Sequence, residues 1–231
     1  EMTHVIKIGG GIIDEPDQLQ RVLASFAEMK GQRILVHGGG RSATEMSKAL
    51  GIEPKMVDGR RITDAATLKV ACMMYAGLIN KQIVASLQAL GVNAMGVSGA
   101  DANLIPAHKR PVKDIDYGWV GDVEAAELDT SPLQKLLDAD FTPVFCALTH
   151  DTQGHMLNTN ADTIAAQVAL GLASLAKEVE LVYCFEKEGV LADPEDESSC
   201  ITQMDKNLYL ALREQGAIHA GMLPKLQNCF E

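Results

Sequence analysis

Two short apolar strands run directly into glycine. Val5-Ile6-Lys7-Ile8 leads into Gly9-Gly10-Gly11, and Ile34-Leu35-Val36-His37 leads into Gly38-Gly39-Gly40. Glycine at a strand end removes Cβ atoms from the turn, so backbone N–H groups can close around an anion. The second run opens a helical pattern from Ser42 to Leu50, and the first-turn N–H groups of such a helix point at the same place. Lys7 sets a full positive charge beside the first run. Two anion cradles with a lysine next to one of them point to chemistry on phosphate or carboxylate. One such run alone would read as a tight strand-to-helix turn; two in the first 40 residues favour a site.

Other residue sets bear on the same chemistry. Asn158-Thr159-Asn160-Ala161-Asp162 stands where a helix begins, with Asn160 suited to the N-cap and Asp162 to the first turn. Capping accounts for Asn160 and leaves Asn158 unexplained. Gly221-Met222-Leu223-Pro224-Lys225 places a second lysine just inside a late helix start. Gly38 to Ala43 also fits G-x-G-x-x-A, but a dinucleotide fold needs an acidic residue ending the next strand. Gly51–Gly59 carries Pro54 and reads as a loop, which leaves Asp58 without that strand. The Walker pattern is absent from the chain.

These residues need a scaffold of strands and helices, and the pattern supplies one. Strand Thr3–Ile8, helix Pro16–Lys30, strand Arg33–His37 and helix Ser42–Leu50 come first. A loop with an Asp58-Gly59 turn leads to a long helix from Asp64 to Leu90, with Thr63 as N-cap and Gly91 as its stop. Strand Asn93–Val97, a hairpin region over Leu104–Glu127, a short helix from Ser131-Pro132 and strand Thr142–Leu148 follow. The helix opened by Asn160 runs to about Leu170 and leads to strand Glu178–Phe185. An acidic loop, Asp193–Ser199, and a helix over Asp205–Gln215 precede the last helix start. Strands alternating with helices predict an α/β fold with a mainly parallel sheet.

The chain has 231 residues, 47% of them hydrophobic, and a formal charge of −11. That charge argues against nucleic acid as a partner and means that any anion must be met locally, by glycine turns, helix N-termini and a few placed cations. No apolar run reaches the ~18 residues of a membrane span, so no membrane partner and a cytoplasmic location are expected. Cys72, Cys146, Cys184, Cys200 and Cys229 are odd in number and lack C-x-x-C spacing, which reads as structural thiols with no metal site.

Ile6-Lys7-Ile8-Gly9-Gly10, His37-Gly38-Gly39-Gly40, Gly59-Arg60-Arg61-Ile62-Thr63, Ser98-Gly99-Ala100-Asp101, Asn158–Asp162 and Gly221–Lys225 occur in this order over nearly the whole chain. As an ordered set they resemble the amino acid kinase family, in particular its members that act on N-acylated glutamate. The resemblance implies a three-layer αβα sandwich in one kinase domain, with a substrate lobe over about 1–150 and an ATP lobe over about 151–231. It implies that Lys7 and Lys225 stabilise the transferring phosphoryl group while Asp162 holds the lysines. Gly39, Gly40, Arg61 and Asn158 would bind the acyl amino acid, and Gly9, Gly10 and Gly38 the phosphates. ATP with Mg2+ on its phosphates is the implied cofactor, and an acyl phosphate on the γ-carboxylate, in arginine biosynthesis, the implied product.

The residue types suit that chemistry on their own terms. A γ-carboxylate is ionised at neutral pH, with a pKa of ~4.3, so the nucleophile needs no general base. Catalysis reduces to aligning two anions and spreading positive charge over the moving phosphoryl group. His37 therefore reads as a turn residue. The alternatives are another acceptor (glutamate, aspartate or UMP) or an idle sensor on the same scaffold. Val182–Lys187 lacks the Thr/Asp-type strand ending usual in the family's nucleotide site, and Arg60 adds a cation beside Arg61. Arg60, Lys109 and Arg110 are candidates to meet the extra carboxylate of an N-succinyl group. The first strand begins by Thr3, leaving no room for the extra helix of arginine-inhibited relatives, and the chain stops soon after Lys225, as a shortened ATP lobe would. An arginine-insensitive homodimer on the apolar 64–90 helix is expected.

Overall fold

The computed structural model describes residues 2–57, 60–175, 177–193, 195–218 and 222–230. The predicted Asp58-Gly59 turn, the Arg60 side chain and Gly221 lie outside the described residues. The chain divides into two compact units, Glu1–Cys184 and Phe185–Glu231. Residues 151–184, which the resemblance assigns to the ATP lobe, pack within the first.

In the first unit β1 (Thr3–Ile8) leads through α1 (Gly10–Asp14) and α2 (Pro16–Glu28) to β2 (Gln32–His37) and α3 (Gly40–Ala49). A small antiparallel ribbon, β3 (Met56–Val57) and β4 (Arg60–Arg61), precedes the long helix. That helix is continuous over residues 65–89 but not uniform: α4 (Ala65–Ala71) passes into a π-helical stretch, Cys72–Ile79, before α5 (Asn80–Ala89). Then come β5 (Ala94–Val97), a hairpin of β6 (His108–Lys109) and β7 (Gly121–Asp122), α6 (Ser131–Asp138) and β8 (Thr142–Phe145). A second hairpin, β9 (Leu148–His150) and β10 (Met156–Asn158), leads to α7 (Ala161–Ala173) and β11 (Val179–Cys184).

The main sheet has the order β11-β1-β2-β8-β5 with every neighbouring pair parallel, and helices cover both faces. This is the expected αβα sandwich. Val5, Ile8, Ile34, Leu35, Val36, Val144 and Phe145 are fully buried between the layers. β1 sits between β2 and β11, with Ile8 in register with both His37 and Cys184. The chain thus leaves β1 toward one side and returns on the other, and at such a switch an open α/β sheet leaves a crevice beyond its carboxyl ends. Both glycine turns leave the sheet there.

Three details depart from the sequence reading. The N-cap of α4 is Asp64, whose Oδ1 accepts from Thr67 N–H at 2.8 Å. Thr63 is already engaged, donating its N–H to Tyr117 O (2.9 Å) and accepting from Trp119 N–H (2.7 Å). The expected strand Thr142–Leu148 breaks at Cys146, where Leu148 N–H turns back to Cys146 O (2.8 Å), and β9 then pairs with β10 instead of the main sheet. The 65–89 helix is long and apolar enough to cross a membrane, yet Val70, Ala71, Met74, Tyr75, Ile79, Ile83 and Leu87 are buried in the core of this unit.

The second unit contains α8 (Lys206–Glu214), capped by Asp205 Oδ1 accepting from Leu208 N–H (2.8 Å), and α9 (Leu223–Phe230). Tyr209, Ile218 and Leu226 form its own core, and Phe230 stacks on Tyr209 at 5.0 Å. Lys225 lies on α9.

Close helix-to-sheet packing gives a direct test. A Cβ on Gly96 of β5 would stand 1.9 Å from Asn80 Oδ1 and 2.6 Å from Lys81 Nζ. The lysine can swing away, but the buried asparagine cannot. Gly96→Ala should therefore destabilise the protein by about 2–3 kcal/mol through overpacking, read as a lowered denaturation midpoint at unchanged m-value.

Candidate active site

Lys7, next to last in β1, places its ammonium 2.7 Å from Asp162 Oδ1. The residues are 7% and 6% exposed, so this is a buried ion pair near the carboxyl end of an interior strand. Asp162 is the second residue of α7, where a carboxylate faces the positive end of the helix dipole. The helix is opened by Asn160, whose Oδ1 accepts from the N–H groups of Asp162 (2.7 Å) and Thr163 (3.2 Å). Tyr183, beside Lys7 on β11, donates its hydroxyl to the Asp162 carbonyl at 3.1 Å. Strand and helix are thereby tied on both sides of the pair.

The glycines play distinct parts. The Gly9 N–H, expected among the phosphate donors, is engaged by Cys184 O at 2.8 Å, while its carbonyl receives Ile13 N–H. The first-turn amides of Gly10, Gly11 and Ile12 remain without partners inside α1. A Cβ on Gly10 would meet nothing within 4 Å, so the turn faces open space. Gly38 would bring a Cβ into ordinary contact with Ala161 Cβ at 3.7 Å. Gly39 has φ +142° and would drive a Cβ to 2.3 Å from Ile79 Cδ1, so only glycine fits. Gly40 opens α3, and Asp14 of α1 ties the two turns together, its Oδ1 accepting from Ser42 Oγ (3.1 Å) and its Oδ2 forming an ion pair with Arg41 Nε (3.2 Å).

Arg61 reaches the second turn from β4. Its Nη2 donates to Gly40 O (3.0 Å) and to the Thr44 hydroxyl, while its Nη1 is buried without a partner. Asn158 stands on the other side of Thr63, donating Nδ2–H to Thr63 Oγ1 at 3.1 Å. The Thr149 and Thr159 hydroxyls, 2.8 Å apart, fix the β10–α7 junction, and Thr159 also donates to Gly121 O at 3.1 Å. Lys7, Asp162, the glycine turns, Arg61 and Asn158 thus all belong to the first unit. Of the other cations, Arg110 forms a two-pronged pair with Asp122, with contacts of 2.5 and 3.1 Å to Oδ1, and Lys109 Nζ sits 4.3 Å from the Trp119 ring centre.

Sequence reading missed the support beneath the second turn. In the π-helical stretch Asn80 N–H bonds Tyr75 O, five residues back, which brings Tyr75, Ile79 and Asn80 toward one side. The run Cys72–Ile79 is apolar all round, so no helical period marks this face. Asn80, 1% exposed, donates Nδ2–H to Val144 O (2.9 Å) and stands 3.0 Å from His37 Nε2. An amide donor at Nε2 makes that nitrogen the acceptor, which assigns the imidazole proton to Nδ1, donated to Gly38 O at 2.8 Å. Burial holds the His37 pKa down to about 4, with Lys81 adding to the effect. His37 is a neutral brace of the turn, in agreement with the sequence reading. Burial also raises the Cys72 and Cys184 thiols and pushes Cys146 up to about 12, which makes Cys146 an inert core thiol.

Two outcomes follow from these buried charges and dipoles. Removing the carboxylate in Asp162→Ala leaves the Lys7 ammonium buried and unpaired, and should lower stability by roughly 3 kcal/mol in urea unfolding. His37 in the unfolded chain titrates near ~6.5, so below that pH the unfolded state takes up a proton that the folded state refuses until about pH 4. Stability from this residue is complete above pH ~6.5 and declines as pH falls toward 4, by on the order of 3 kcal/mol. Denaturation at stepped pH should show a shallower decline over that window in His37→Gln than in the natural protein.

Comparison with known proteins places this arrangement. Residues 2–231 match the amino acid kinase family. The acetylglutamate kinase of Parabacteroides distasonis is 54% identical over 231 residues, covering 100% of this chain and 89% of that protein. The acetylglutamate kinase of Methanopyrus kandleri is 37% identical over 228 residues, 97% of this chain and 87% of that protein. Among solved structures, N-acetylglutamate synthase from Neisseria gonorrhoeae, in complex with coenzyme A and N-acetyl-glutamate, superposes with a TM-score of 0.79 at 23% identity over 98% of this chain and 50% of that one. At that identity the likeness speaks for the fold, and the full-length sequence matches speak for descent: this chain belongs to the amino acid kinase family.

Proposed function

We propose that the chain transfers the γ-phosphoryl group of ATP to the γ-carboxylate of N-acetyl-L-glutamate, a step of arginine biosynthesis. The observation that carries this reading is the buried Lys7–Asp162 pair between two glycine turns. Its support from kinship is the 54% identity to acetylglutamate kinases over the whole chain. A carboxylate oxygen attacks the γ-phosphorus in line, the bond from phosphorus to the β-bridging oxygen breaks, and ADP leaves with that electron pair. No proton moves, and no base is required.

In this reading the first-turn amides of α1 and α3, with Gly10 and Gly38–Gly40, receive phosphate and carboxylate oxygens. Lys7 neutralises charge on the moving phosphoryl group, and Asp162 keeps the ammonium aimed. Arg61 takes a substrate carboxylate through its unpartnered Nη1, and Asn158 holds the acyl amino acid. Lys225 is assigned the second phosphoryl-stabilising role on the strength of the Gly221–Lys225 motif alone. Among the described residues no group of three or more His, Cys, Asp or Glu side chains converges. Mg2+ is therefore assigned to the ATP phosphates, where it would offset their charge.

An N-succinyl substrate would require Arg110 or Lys109 to leave Asp122 or the Trp119 face for a second carboxylate. We further propose a homodimer through the 65–89 helix. It exposes Met73 (46%) and Leu78 (47%), and its Leu68 and Cys72 line a groove with Trp119 and Met156. A cytoplasmic enzyme is the setting that ATP use implies.

ADP release measured with N-acetylglutamate, N-succinylglutamate, glutamate, aspartate and UMP tests the activity. Turnover confined to unacylated glutamate or UMP would overturn it. Lys7→Met and Lys225→Met should each lower kcat by about 10²–10³, with smaller changes in KM, because their charge acts on the transition state. Arg61→Ala and Asn158→Ala should instead raise KM for the acyl glutamate and leave KM for ATP nearly unchanged. A monomer mass by light scattering at micromolar concentration would rule out the dimer.

A further inference from the structure

Tyr75 has a buried ring and an open hydroxyl. It is 5% exposed, within the π-helical stretch, and among the described residues its phenol oxygen has no hydrogen-bond partner. That oxygen is not among the buried unpartnered atoms, so it is the part of the side chain that reaches open space, where a ligand can meet it. The ring lies under the second glycine turn. The position a Cβ on Gly39 would take is 3.5 and 3.6 Å from Tyr75 Cδ1 and Cε1. The corresponding point on Gly40 is 3.9 Å from Tyr75 Oη and 4.0 Å from Arg61 Nη2.

The hydroxyl and the guanidinium therefore both lie close to the same residue, the first of α3, where the amides of Gly40, Arg41 and Ser42 have no partner inside the helix. Arg61 Nη2 is held by Gly40 O and Thr44, whereas Arg61 Nη1 is buried and unpartnered. Two donors of different chemistry, a buried cationic one and an accessible neutral one, stand beside the same helix N-terminus. An acceptor that satisfies all three is a planar carboxylate, with two oxygens and several lone pairs.

We propose that Tyr75 is a specificity-determining residue, its phenol O–H donating to the substrate carboxylate that Arg61 binds, the α-carboxylate of the acyl amino acid. This rests on the reading of the site as an acyl-glutamate kinase. The π-helical register is what puts the hydroxyl there, since Tyr75 and Asn80 are brought to one side by the bond between them. Asn80 then braces the turn through His37 while Tyr75 lies under Gly39 and addresses the ligand.

The test is Tyr75→Phe, which removes one oxygen and leaves the ring in place. Steady-state kinetics and calorimetric titration of the whole protein with N-acetylglutamate should show KM and Kd raised about tenfold or more, the worth of a hydrogen bond to a charged group. The values of kcat, KM for ATP and the urea midpoint should stay close to those of the natural protein. With the α-carboxylate of the substrate replaced by a carboxamide, the gap between the two proteins should narrow. An unchanged KM in the variant, while the natural protein turns over N-acetylglutamate, would overturn the tyrosine's role alone. A parallel fall in urea midpoint with KM for ATP also rising would likewise overturn it, in favour of packing. If the natural protein turned over no N-acylglutamate, the underlying reading would fall and this proposal with it.

Discussion

A buried lysine near the end of an interior strand must be solvated by the protein itself, and this requirement organises the first unit. Moving an unpaired ammonium into the interior costs several kcal/mol, so a carboxylate has to arrive at hydrogen-bond distance. Asp162 does so from the first turn of α7, where the helix dipole favours a negative charge and would disfavour the lysine alone. The pair therefore fixes where α7 begins relative to β1. The Asn160 cap, the Thr149–Thr159 contact and the Tyr183 hydroxyl all bear on that junction. Much of the polar bonding around α7 exists to hold one carboxylate still.

The second glycine turn meets a different constraint, which is close approach. Gly39 at φ +142° rests on Ile79, and no side chain larger than hydrogen fits between them. Such contact could come from an ordinary helix packed on the sheet. A π-helical stretch adds that Asn80 faces His37 while Tyr75 lies beneath Gly39, side chains five positions apart serving one turn. Bonding five residues back distorts regular helix geometry and is disfavoured unless the surroundings make up the difference. Here two buried hydrogen bonds to Asn80 and the packing of Ile79 supply that return.

Much of this was legible in the residues. The apolar strand followed by glycine announced both turns, and alternation of strands with helices announced the parallel sheet. Asn160 was visible as a cap because its side chain is of the type that takes first-turn amides. The boundaries failed where tertiary bonds outranked local ones: Thr63 looks like a cap but is drawn into pairing with Tyr117 and Trp119, leaving Asp64 to cap α4. The brace from Asn80 to His37 was invisible because it joins residues 43 apart through a helical register that periodicity does not encode. Tyr75 was hidden for the same reason, sitting in a run where every neighbour is apolar or small.

The neutral His37 shows why the site suits an acceptor that needs no base. An imidazole at a strand end between two glycine turns would ordinarily invite a role in proton transfer. Its Nδ1 proton is committed to Gly38 O, its Nε2 accepts from an amide, and burial keeps its pKa at about 4. A residue so arranged neither accepts a proton near neutral pH nor has an open nitrogen to offer a substrate. A hydroxyl acceptor would need such a group; a carboxylate does not, because it arrives ionised. What the reaction does require is positive potential in a chain whose formal charge is −11. The site meets that need with helix first-turn amides, Lys7 and Arg61, groups whose influence is strong at short range and lost within a Debye length of the surface.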